Sequence, residues 1–522
     1  MMGSAAEAAE RASWWASSGL TIILAALYPT VFVVSQNWYA LSVWQSLFLV
    51  AAAAVAGVVV FAVIEGAFRI AGWRPAASGA TREVPARAIA LGLVCAGLIY
   101  FLLIATLRAT VPSTIALVVI FFVLAAAFGW AFRQGVQRYV NLFLAALVAV
   151  ASLTWVLGAA GAPPQILAGI KPDFERAVLG SKPNIYLFIY DAYGSEDVYR
   201  KVFKTDNSKH YKDLEERGFK VVHTFSNYGS TWQTTIGTFL GQHHFYETAT
   251  GNADSQSGRT IMAGLIHNPV LHTLMKNGYR FQYVHGIDYF VNEPGMIEFV
   301  YPESTALSAL RAFGNPTLDK IGGRKRRVTL DKQTAVLYDR IHPQAGDKQS
   351  PWFTFAHVNL PAHSPDEHWT QLAGFEQTFR DRTVKANEHM LKTIDRIKAA
   401  DPKAVIAIFG DHGAARYNKL WDRISQDAEE SFRQAGVSTE IVTLDAFGIM
   451  IAIHFGGHCD DRTYRGMTPV NIMRVVFSCL SGDRGLLSGK AADVTLSGGK
   501  GRPLLLIAKD GVALPKWELF QR

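Results

Sequence analysis

The chain has 522 residues, of which 50% are hydrophobic and 18% are charged, and its formal net charge is +8. More than one domain is expected, since a single domain usually has about 100–200 residues. Through Ala160 the sequence contains 8 Arg and 4 Glu but no Lys or Asp. The first part is therefore typical of lipid-embedded protein and the rest of a soluble domain. The isoelectric point of about 9.2 is thus no argument for nucleic-acid binding.

The first part of the chain contains five apolar stretches, each close to the roughly 20 residues that a helix needs to cross a bilayer core. They cover 19–35, 44–64, 88–107, 112–132 and 140–160. So many runs in so short a segment favour membrane spans over buried helices of a soluble domain. Glu7 and Glu10 lie where a cleaved signal peptide would carry positive charge, so we do not expect the first stretch to be a signal peptide. The sequence predicts a transmembrane domain of five helices over 1–160.

The arginines between these spans predict the orientation of the chain in the membrane. Most of them lie in the second and fourth loops: Arg69, Arg74, Arg82, Arg87, Arg133 and Arg138. Because cytoplasmic loops are enriched in Lys and Arg, both loops are expected in the cytoplasm. With five spans the N-terminus is then cytoplasmic, and the chain after Ala160 lies outside. We expect a multi-pass protein of a bacterial inner membrane with a periplasmic second part.

After the last span the pattern changes to a linker and then to alternating strands and helices. Two prolines at 163–164 end the span, and residues 161–182 are expected to be a juxtamembrane linker with a short amphipathic helix near 166–178. The runs NIYLFIYD and AVIAIFGD are typical of buried parallel strands. A long helical pattern at 369–399 lies between them. The sequence predicts an α/β domain over 183–522 with a mostly parallel central sheet.

Both apolar runs end in groups that bind metals. The first ends in Asp191 and the second in Asp411 and His412. In such sheets ligands bind beyond the carboxyl ends of the strands, and carboxylates with an imidazole suit a divalent ion. A single aspartate at a strand end often only caps a turn. Two strands that end in this way predict a metal site.

Four segments in order resemble the alkaline-phosphatase/sulfatase superfamily and, within it, the membrane-anchored phosphoglycerol and phosphoethanolamine transferases. PNIYLFIYDAYG is similar to the family's first strand with its metal-binding acid, here Asp191. IFGDHG is similar to the strand-end D-H-G, here Asp411 and His412. A single acid in the first segment, where many sulfatases have paired acids, implies a site for one metal.

SNYGSTWQTTIGTFLG resembles the nucleophile segment, which in sulfatases ends in a glycine ten residues after the nucleophile. Counting back from Gly241 gives Thr231 as the nucleophile, with Ser230 as the alternative. Either residue could instead only cap the following helix. Sulfatases need a cysteine or serine that is oxidised to formylglycine, which threonine cannot become. The resemblance therefore implies phosphoryl chemistry.

FTFAHVNLPAHSPDEH is similar to the family's H-x-x-x-P-H-x-P segment. It implies His363 as the residue that contacts the substrate phosphate or leaving group, with His357 as the second choice. Asn227 and Arg416 lie close in sequence to the site segments and are candidates for binding the head group.

The resemblance implies one divalent ion, Mn²⁺ or Zn²⁺, held by Asp191, Thr231, Asp411 and His412. It also implies a reaction in which Thr231 takes a phosphoglycerol or phosphoethanolamine head group from a phospholipid. Diacylglycerol would leave with a proton from His363. The phospho-threonine would then pass the head group to an envelope glycan or lipid.

Other functions and features stay open. A phosphomonoesterase or phosphodiesterase would use the same site with water as acceptor, and a third class is a non-enzymatic membrane-bound binding protein. His243 and His244 could contribute to a second metal. Cys459 and Cys479 could form a disulfide in an oxidising compartment. The basic run at 324–327 is interpreted as a solvated loop, with contact to anionic lipid as the alternative.

Overall fold

The chain separates into two compact units, Met1–Pro163 and Pro164–Arg522. Their boundary falls inside the predicted linker. The computed structural model describes residues 18–36, 43–70, 88–98, 114–134, 136–160, 173–243, 268–285, 297–301, 328–344, 350–361, 372–414, 436–499 and 502–520.

The first unit is helical. Its helices are α1 (Ser18–Gln36), α2 (Val43–Ile70), α3 (Ala88–Leu98), α4 (Thr114–Arg133) and α5 (Gln137–Ala160). Helices α1, α2 and α5 are long and apolar enough to cross a membrane, whereas α3 and the apolar part of α4 are shorter. Apolar helices thus lie at the predicted positions, but residues 99–107 of the third predicted span are outside the described residues. The count of five spans and the orientation stay predictions.

Polar and small side chains join helices within the first unit. Thr21 on α1 donates to Asn141 on α5 at 2.6 Å, and Gln137 donates to Thr21 at 3.3 Å. All three are buried, and polar groups inside a membrane bundle need such partners. A Cβ on Gly92 would lie 2.4 Å from the carbonyl oxygen of Ala125. Glycine therefore lets α3 and α4 approach at backbone distance.

The second unit contains a large and a small sheet with helices around them. Its helices are α6 (Ser208–Glu216), α7 (Thr231–Leu240), α8 (Pro269–Lys276), α9 (Leu330–Asp339), α10 (Leu372–Ala400), α11 (Thr439–Phe447) and α12 (Ile472–Ser481). Its strands are β1 (Ile185–Tyr190), β2 (Lys220–Phe225), β3 (Arg280–His285), β4 (Ile297–Tyr301), β5 (Trp352–Val358), β6 (Val405–Gly410), β7 (Gly448–His454), β8 (Val494–Gly499), β9 (Arg502–Lys509) and β10 (Val512–Leu519).

The large sheet has the strand order β2-β7-β6-β1-β5-β3-β4. Strand β1 pairs in parallel with β5 and β6, and β3 pairs in parallel with β4 and β5. Strand β7 is antiparallel to both of its neighbours, β2 and β6. The sheet is therefore mixed, with β7 running against the other described strands. Direction could not be predicted here, because β7 is as completely apolar as a buried parallel strand.

Helices cover both faces of this sheet, so β1, β5 and β6 bury almost every side chain. On one face α10 contributes Met390, Ile394 and Ile397 to the core. These residues belong to the predicted apolar face of the long helix, which confirms that helix. On the other face Ile236 and Phe239 of α7 pack with α12. This packing fixes the position of α7 on the sheet.

Part of the predicted linker belongs to the second unit. Its described portion forms a short 3₁₀ turn, Asp173–Arg176, in place of the predicted amphipathic helix. Phe174 and Leu179 are buried, and the rings of Phe174 and Phe477 lie 5.4 Å apart. Asn277 accepts a hydrogen bond from Leu179 N at 2.9 Å. Residues 173–180 are thus anchored to the second unit through Phe174 and Leu179 and are not a free connector.

The C-terminal residues form the small antiparallel sheet, in the order β10-β9-β8. Its inner side packs on Tyr228, from the loop that leads into α7, through Val494, Leu496 and Leu504. A disulfide joins Cys459 to Cys479, with Cα atoms 5.5 Å apart. The sequence left this pairing open, and it is typical of oxidising compartments.

Two glycines that follow helices give a matched test of packing around α7. Gly241 has φ of 62°, and a Cβ there would lie 2.3 Å from the Phe174 ring. Gly278 has φ of 86°, with nothing within 4 Å of a Cβ. A left-handed alanine costs about 1–2 kcal/mol, and overpacking adds about 1–3 kcal/mol. We expect Gly241→Ala to lower the free energy of unfolding by about 3 kcal/mol and Gly278→Ala by about 1 kcal/mol. Equal losses in urea unfolding would contradict the close contact with Phe174.

Candidate metal centre

The parallel pairing of β1 and β6 brings two aspartates together. Tyr190 and Gly410 are partners in this register, so Asp191 and Asp411 leave the sheet side by side. The backbone N of Ala192 donates to Oδ1 of Asp411 at 2.9 Å. Both aspartates are fully buried. The structure thus joins the two strand ends that the sequence singled out.

His412 lies between these carboxylates. Its Nε2 is 3.5 Å from Oδ2 of Asp411 and 3.7 Å from Oδ1 of Asp191. Its Nδ1 lies 2.8 Å from the carbonyl oxygen of Gly413. Since a carbonyl only accepts, Nδ1 carries a proton, and Nε2 is the nitrogen that faces the acids. Burial lowers the pKa of His412, but Asp411, Asp191 and the bond to Gly413 outweigh burial, and the pKa is raised.

The glycine after His412 is required by close packing. A Cβ on Gly413 would lie 2.1 Å from the carbonyl oxygen of Asp445 on α11. Gly413 N also donates to the carbonyl oxygen of Ala446 at 2.9 Å. Only a residue without a side chain allows this approach. The contact with α11 holds the D-H-G turn in place.

Thr231 is the first residue of α7 and completes the cluster. Its Oγ1 lies 3.4 Å from Nε2 of His412, and it is 6% exposed. Ser230 occupies the N-cap position, but no side chain makes a capping hydrogen bond, and its hydroxyl donates to Gln233 at 3.1 Å. The capping role considered for Ser230 is therefore not seen. An N-terminus without a side-chain cap favours an anion beside Thr231.

This cluster fits a divalent metal ion. Asp191, Asp411 and His412 each offer one ligand atom, and these atoms lie within 4.8 Å of one another. Oδ2 of Asp411 is buried and accepts no hydrogen bond. Two adjacent buried carboxylates are unfavourable without a cation. Carboxylate, imidazole and hydroxyl ligands suit Mn²⁺ or Zn²⁺, and ligand type does not decide between them.

His357 borders the centre from β5. Its register partner on β1 is Ile189, and it is fully buried. Its Nε2 lies 3.4 Å from Oδ2 of Asp191. His357 is thus close to the candidate ligands, and its contact with substrate stays a prediction. Other predicted positions lie outside the described residues: His244, His363, Arg416 and the basic run at 324–327.

The structure places Asn227 in the wall of the domain. Its Nδ2 donates to Thr468 Oγ1 at 2.8 Å and to the carbonyl oxygen of Val494 at 3.0 Å. Its Oδ1 accepts from Val470 N at 2.8 Å. Both amide hydrogens and the oxygen are therefore used inside the fold. Head-group binding by Asn227 stays a prediction that this geometry does not support.

These bonds lead to a buried acid that sequence reasoning missed. Thr468 Oγ1 donates to Oδ1 of Asp493 at 2.9 Å. The same oxygen accepts from Asn471 at 3.0 Å, and Oδ2 accepts from Lys490 at 2.6 Å. Asp493 thus ties the small sheet to the loop before Thr231. No local signal marks it, because its partners Thr468 and Asn471 are 25 and 22 positions away in sequence.

A substitution at Asn227 measures how firmly this loop is held. We expect Asn227→Leu to lower the free energy of unfolding by about 3 kcal/mol, since Thr468, Val470 and Val494 each lose a buried partner worth about 1 kcal/mol. Thr468→Val should cost about 2 kcal/mol, because Asn227 and Asp493 each lose a partner, and Thr468→Ser, which keeps the hydroxyl, less. Urea unfolding of the full chain measures all three. An unchanged Asn227→Leu variant would refute the architectural role.

His243 does not have a nitrogen available for a second metal. Its Nδ1 is 2.8 Å from the Tyr228 hydroxyl, and its Nε2 is 2.7 Å from the carbonyl oxygen of Ala492. Burial lowers its pKa to about 4, so it is neutral. The suggestion that His243 contributes to a second metal is therefore wrong, because both of its ring nitrogens make contacts that hold the small sheet.

The second unit is thus an α/β domain whose mixed sheet carries a candidate divalent-metal centre beside a threonine at a helix N-terminus. No protein-family model and no curated protein matches the sequence. The chain is similar to the C-terminal periplasmic domain of EcEptC from Escherichia coli in complex with Zn, at 12% identity and a TM-score of 0.37, covering 60% of this chain and 84% of that one.

Two further solved structures are similar to this chain. One is the lipoteichoic acid synthase LtaP from Listeria monocytogenes, at 11% identity and a TM-score of 0.39, covering 67% of this chain and 91% of that one. The other is the soluble domain of lipooligosaccharide phosphoethanolamine transferase A from Neisseria meningitidis, at 10% identity and a TM-score of 0.36, covering 59% and 92%. Because identities and TM-scores are low, we base the function on the geometry of the site.

Proposed function

We propose that this protein is a metal-dependent phosphotransferase that moves a phosphorus-containing head group from a phospholipid to an envelope glycan or lipid through a phospho-threonine. The observation that carries the proposal is the placement of the Thr231 hydroxyl. It lies at the start of α7, 3.4 Å from Nε2 of His412, which itself adjoins Asp191 and Asp411. The proposed nucleophile, the helix N-terminus that favours an anion and the proposed metal ligands thus lie next to one another.

Each group has a distinct task in this proposal. Asp191, Asp411 and His412 would hold the ion together with the Thr231 oxygen. A bound divalent ion supplies Lewis acidity at that oxygen and positive charge for the phosphoryl group. The first-turn N–H groups of α7 orient the phosphate oxygens. Gly413 and Asn227 keep the two loops of the centre at fixed positions.

The reaction balances in two displacement steps. In the first, the Thr231 oxygen forms a bond to phosphorus, and the bond from phosphorus to diacylglycerol breaks. The threonine hydroxyl loses a proton and the diacylglycerol oxygen gains one, for which His363 is the predicted donor. In the second, the oxygen of an acceptor hydroxyl forms a bond to phosphorus, and the bond from phosphorus to the Thr231 oxygen breaks. The proton that the acceptor hydroxyl loses balances the one that Thr231 regains.

The apolar helices of the first unit support a lipid donor. Among the described residues, three of them are long enough to cross a membrane, and tethering raises the effective concentration of the enzyme near a lipid substrate. The arginine distribution supports a location of the second unit outside the cytoplasm. The disulfide between Cys459 and Cys479 supports the same location, since such bonds are rare in the cytosol. We therefore propose an inner-membrane protein with a periplasmic catalytic domain.

The test uses the full chain in lipid nanodiscs, loaded with Mn²⁺ or Zn²⁺ and given fluorescent phosphatidylglycerol or phosphatidylethanolamine. Release of labelled diacylglycerol from one lipid, at a rate that depends on the metal, is the expected result and identifies the donor. If both lipids stay intact while a generic phosphate ester is hydrolysed, the transferase proposal is wrong and the hydrolase replaces it. If neither reaction occurs, the binding-protein class is favoured.

A further inference from the structure

A groove of about 970 Å³ opens in the second unit. Its walls are the end of β2, the loop after β1, the N-terminal half of α11 with the residues before it, and the β9–β10 turn with the start of β10. Known ligand sites have volumes of about 300–1,000 Å³. The groove is thus large enough for several sugar-sized groups.

Short stretches of chain connect the walls of the groove to the metal centre. Ser195 in the groove is four residues after Asp191, so the two lie within about 14 Å. Phe225 in the groove is six residues before Thr231, so these two lie within about 21 Å. The N-terminal half of α11 lines the groove, and its C-terminal end packs on Gly413 next to His412. A ligand of several sugar-sized groups is long enough to extend from the groove to the proposed nucleophile.

The lining of the groove mixes polar and apolar groups. Its polar side chains include Ser195, Asp197, His223, Ser438, Thr439 and Glu440. Apolar side chains such as Phe225, Leu444 and Val512 lie among them. An acyl chain needs a continuous apolar wall, because each polar group that it covers loses its water. This lining therefore does not suit a lipid tail.

The charges in the groove are already paired. Lys201 lies 3.3 Å from Asp197 and 2.7 Å from Glu440, and Arg200 also contacts Asp197. Burial lowers the pKa of His223, so its ring is neutral at pH 7. Neither a strong anion nor an isolated cation finds an uncompensated charge here. The carboxylate oxygens still have lone pairs that accept from ligand hydroxyls.

One lining hydroxyl has no hydrogen-bond partner among the described residues. Thr224 lines the groove and is 3% exposed, and its Oγ1 makes no hydrogen bond. Buried hydroxyls in native folds nearly always have a partner, and one without a partner destabilises the fold. Because this oxygen is itself buried, a ligand hydroxyl supplies the missing bond only when the groove wall moves to admit it.

We propose that this groove binds the acceptor substrate as a neutral, hydroxyl-rich chain, namely an oligosaccharide. Its hydroxyls donate to Asp197 and Glu440 and accept from Ser195 and Thr224, while its C–H faces pack on Phe225. The role as acceptor rests on the proposed transferase function. The binding of the sugar does not, because it needs neither the metal nor turnover.

The first experiment measures saturation-transfer NMR with the full chain in nanodiscs. The probes are maltohexaose, laminarihexaose and isomaltohexaose, with an anionic chondroitin hexasaccharide for comparison. Ala513 lines the groove, so Ala513→Trp fills it, whereas Lys516→Trp puts the same side chain on β10 outside the lining. We expect a neutral sugar to bind the wild type and Lys516→Trp, and its signal to vanish in Ala513→Trp. Absence of binding by all three neutral sugars, equal binding by Ala513→Trp, or tighter binding of the anionic sugar overturns the proposal.

The second experiment uses Thr224→Val, which removes the hydroxyl and keeps the shape. We expect the unfolding midpoint without sugar to rise by about 1–3 °C, and the sugar affinity to fall by about fivefold to tenfold. A lower midpoint with unchanged affinity would show that Thr224 is only structural and would remove it from the site. The lipid assay separates the two proposals. Sugar binding without lipid cleavage would support the proposed groove and contradict the transferase proposal. Lipid cleavage without sugar binding would support the transferase proposal and contradict the groove.

Discussion

Replacing Thr231 by alanine is expected to reduce diacylglycerol release by about 10³-fold or more, the scale on which loss of a nucleophile acts. Thr231 Oγ1 is the hydroxyl next to His412, at 3.4 Å from its Nε2, and no described neighbour offers the same position. Thr231→Ser keeps the hydroxyl at the start of α7 and should retain activity within about tenfold. Rates with the fluorescent lipid donor measure both variants.

The covalent step has its own readout. With a donor and no acceptor, mass spectrometry of the digested wild type should show the head-group phosphate on the peptide that contains Thr231. Ser230, the alternative nucleophile, instead donates its hydroxyl hydrogen bond to Gln233. Ser230→Ala should therefore lower the rate by less than about tenfold. Modification of Ser230, or full activity of Thr231→Ala, would contradict the assignment.

Replacing Asp411 by asparagine is expected to weaken metal binding by at least about 10²-fold, since the loss of even an outer partner of a ligand costs 10–100-fold. Asparagine still accepts the hydrogen bond that Ala192 N gives to Oδ1 of Asp411. It also removes one of two adjacent buried negative charges. The metal-free variant should thus be as stable as the metal-free wild type or more stable. Calorimetric titration with Mn²⁺ and Zn²⁺ measures the affinity.

Thermal unfolding gives the second measurement on this variant. Metal at 100 times its Kd should stabilise the wild type by about 2.7 kcal/mol, and this gain should be lost in Asp411→Asn. Asp401 is a matched control, because it is also fully buried but accepts its hydrogen bonds from Asn184 and Lys403. Asp401→Asn should lower stability and leave metal affinity unchanged. A metal-free Asp411→Asn that is much less stable than the wild type would show that the carboxylate is structural.

Hydrogen bonds from the C-terminal sheet and from α11 hold the loop that leads to Thr231. Ser226 N donates to the carbonyl oxygen of Phe447, and Thr495 donates to the carbonyl oxygen of Ser226 at 2.7 Å. Leu496 N donates to the carbonyl oxygen of Asn227 at 2.9 Å. The loop before Thr231 is thus held by hydrogen bonds at two successive residues, Ser226 and Asn227. Positioning of this kind is how a fold keeps a reacting atom within reach of its partners.

Several elements of the second unit were predictable because their cause is local. β1 and β6 are continuous apolar runs that end in Asp191 and in Asp411 with His412, and the structure shows both strands ending just before these residues. Since neighbouring parallel strands end at one edge, their convergence follows from the pattern alone. Helix α10 was predictable from the spacing of Met390, Ile394 and Ile397.

Other features depend on contacts between distant parts of the chain. Asn227 was predicted to bind a head group because it lies near Thr231 in sequence, yet its partner Thr468 is 241 positions away. Contacts between separate parts of the chain also decide the direction of β7, the pairing of Cys459 with Cys479 and the network around Asp493. Local propensity carries no information about such partners.

The sequence by itself determined the division into an apolar and a soluble part, the alternation of strands and helices, and the side chains at two strand ends, because hydrophobic periodicity and strand-end chemistry are local properties. The tertiary structure decided which hydroxyl meets His412, which polar groups are used up inside the fold, and where a groove opens in the second unit. These depend on how sheet, helix N-terminus and C-terminal sheet pack together. Packing is set by complementary surfaces far apart in the chain, and a single sequence does not display them.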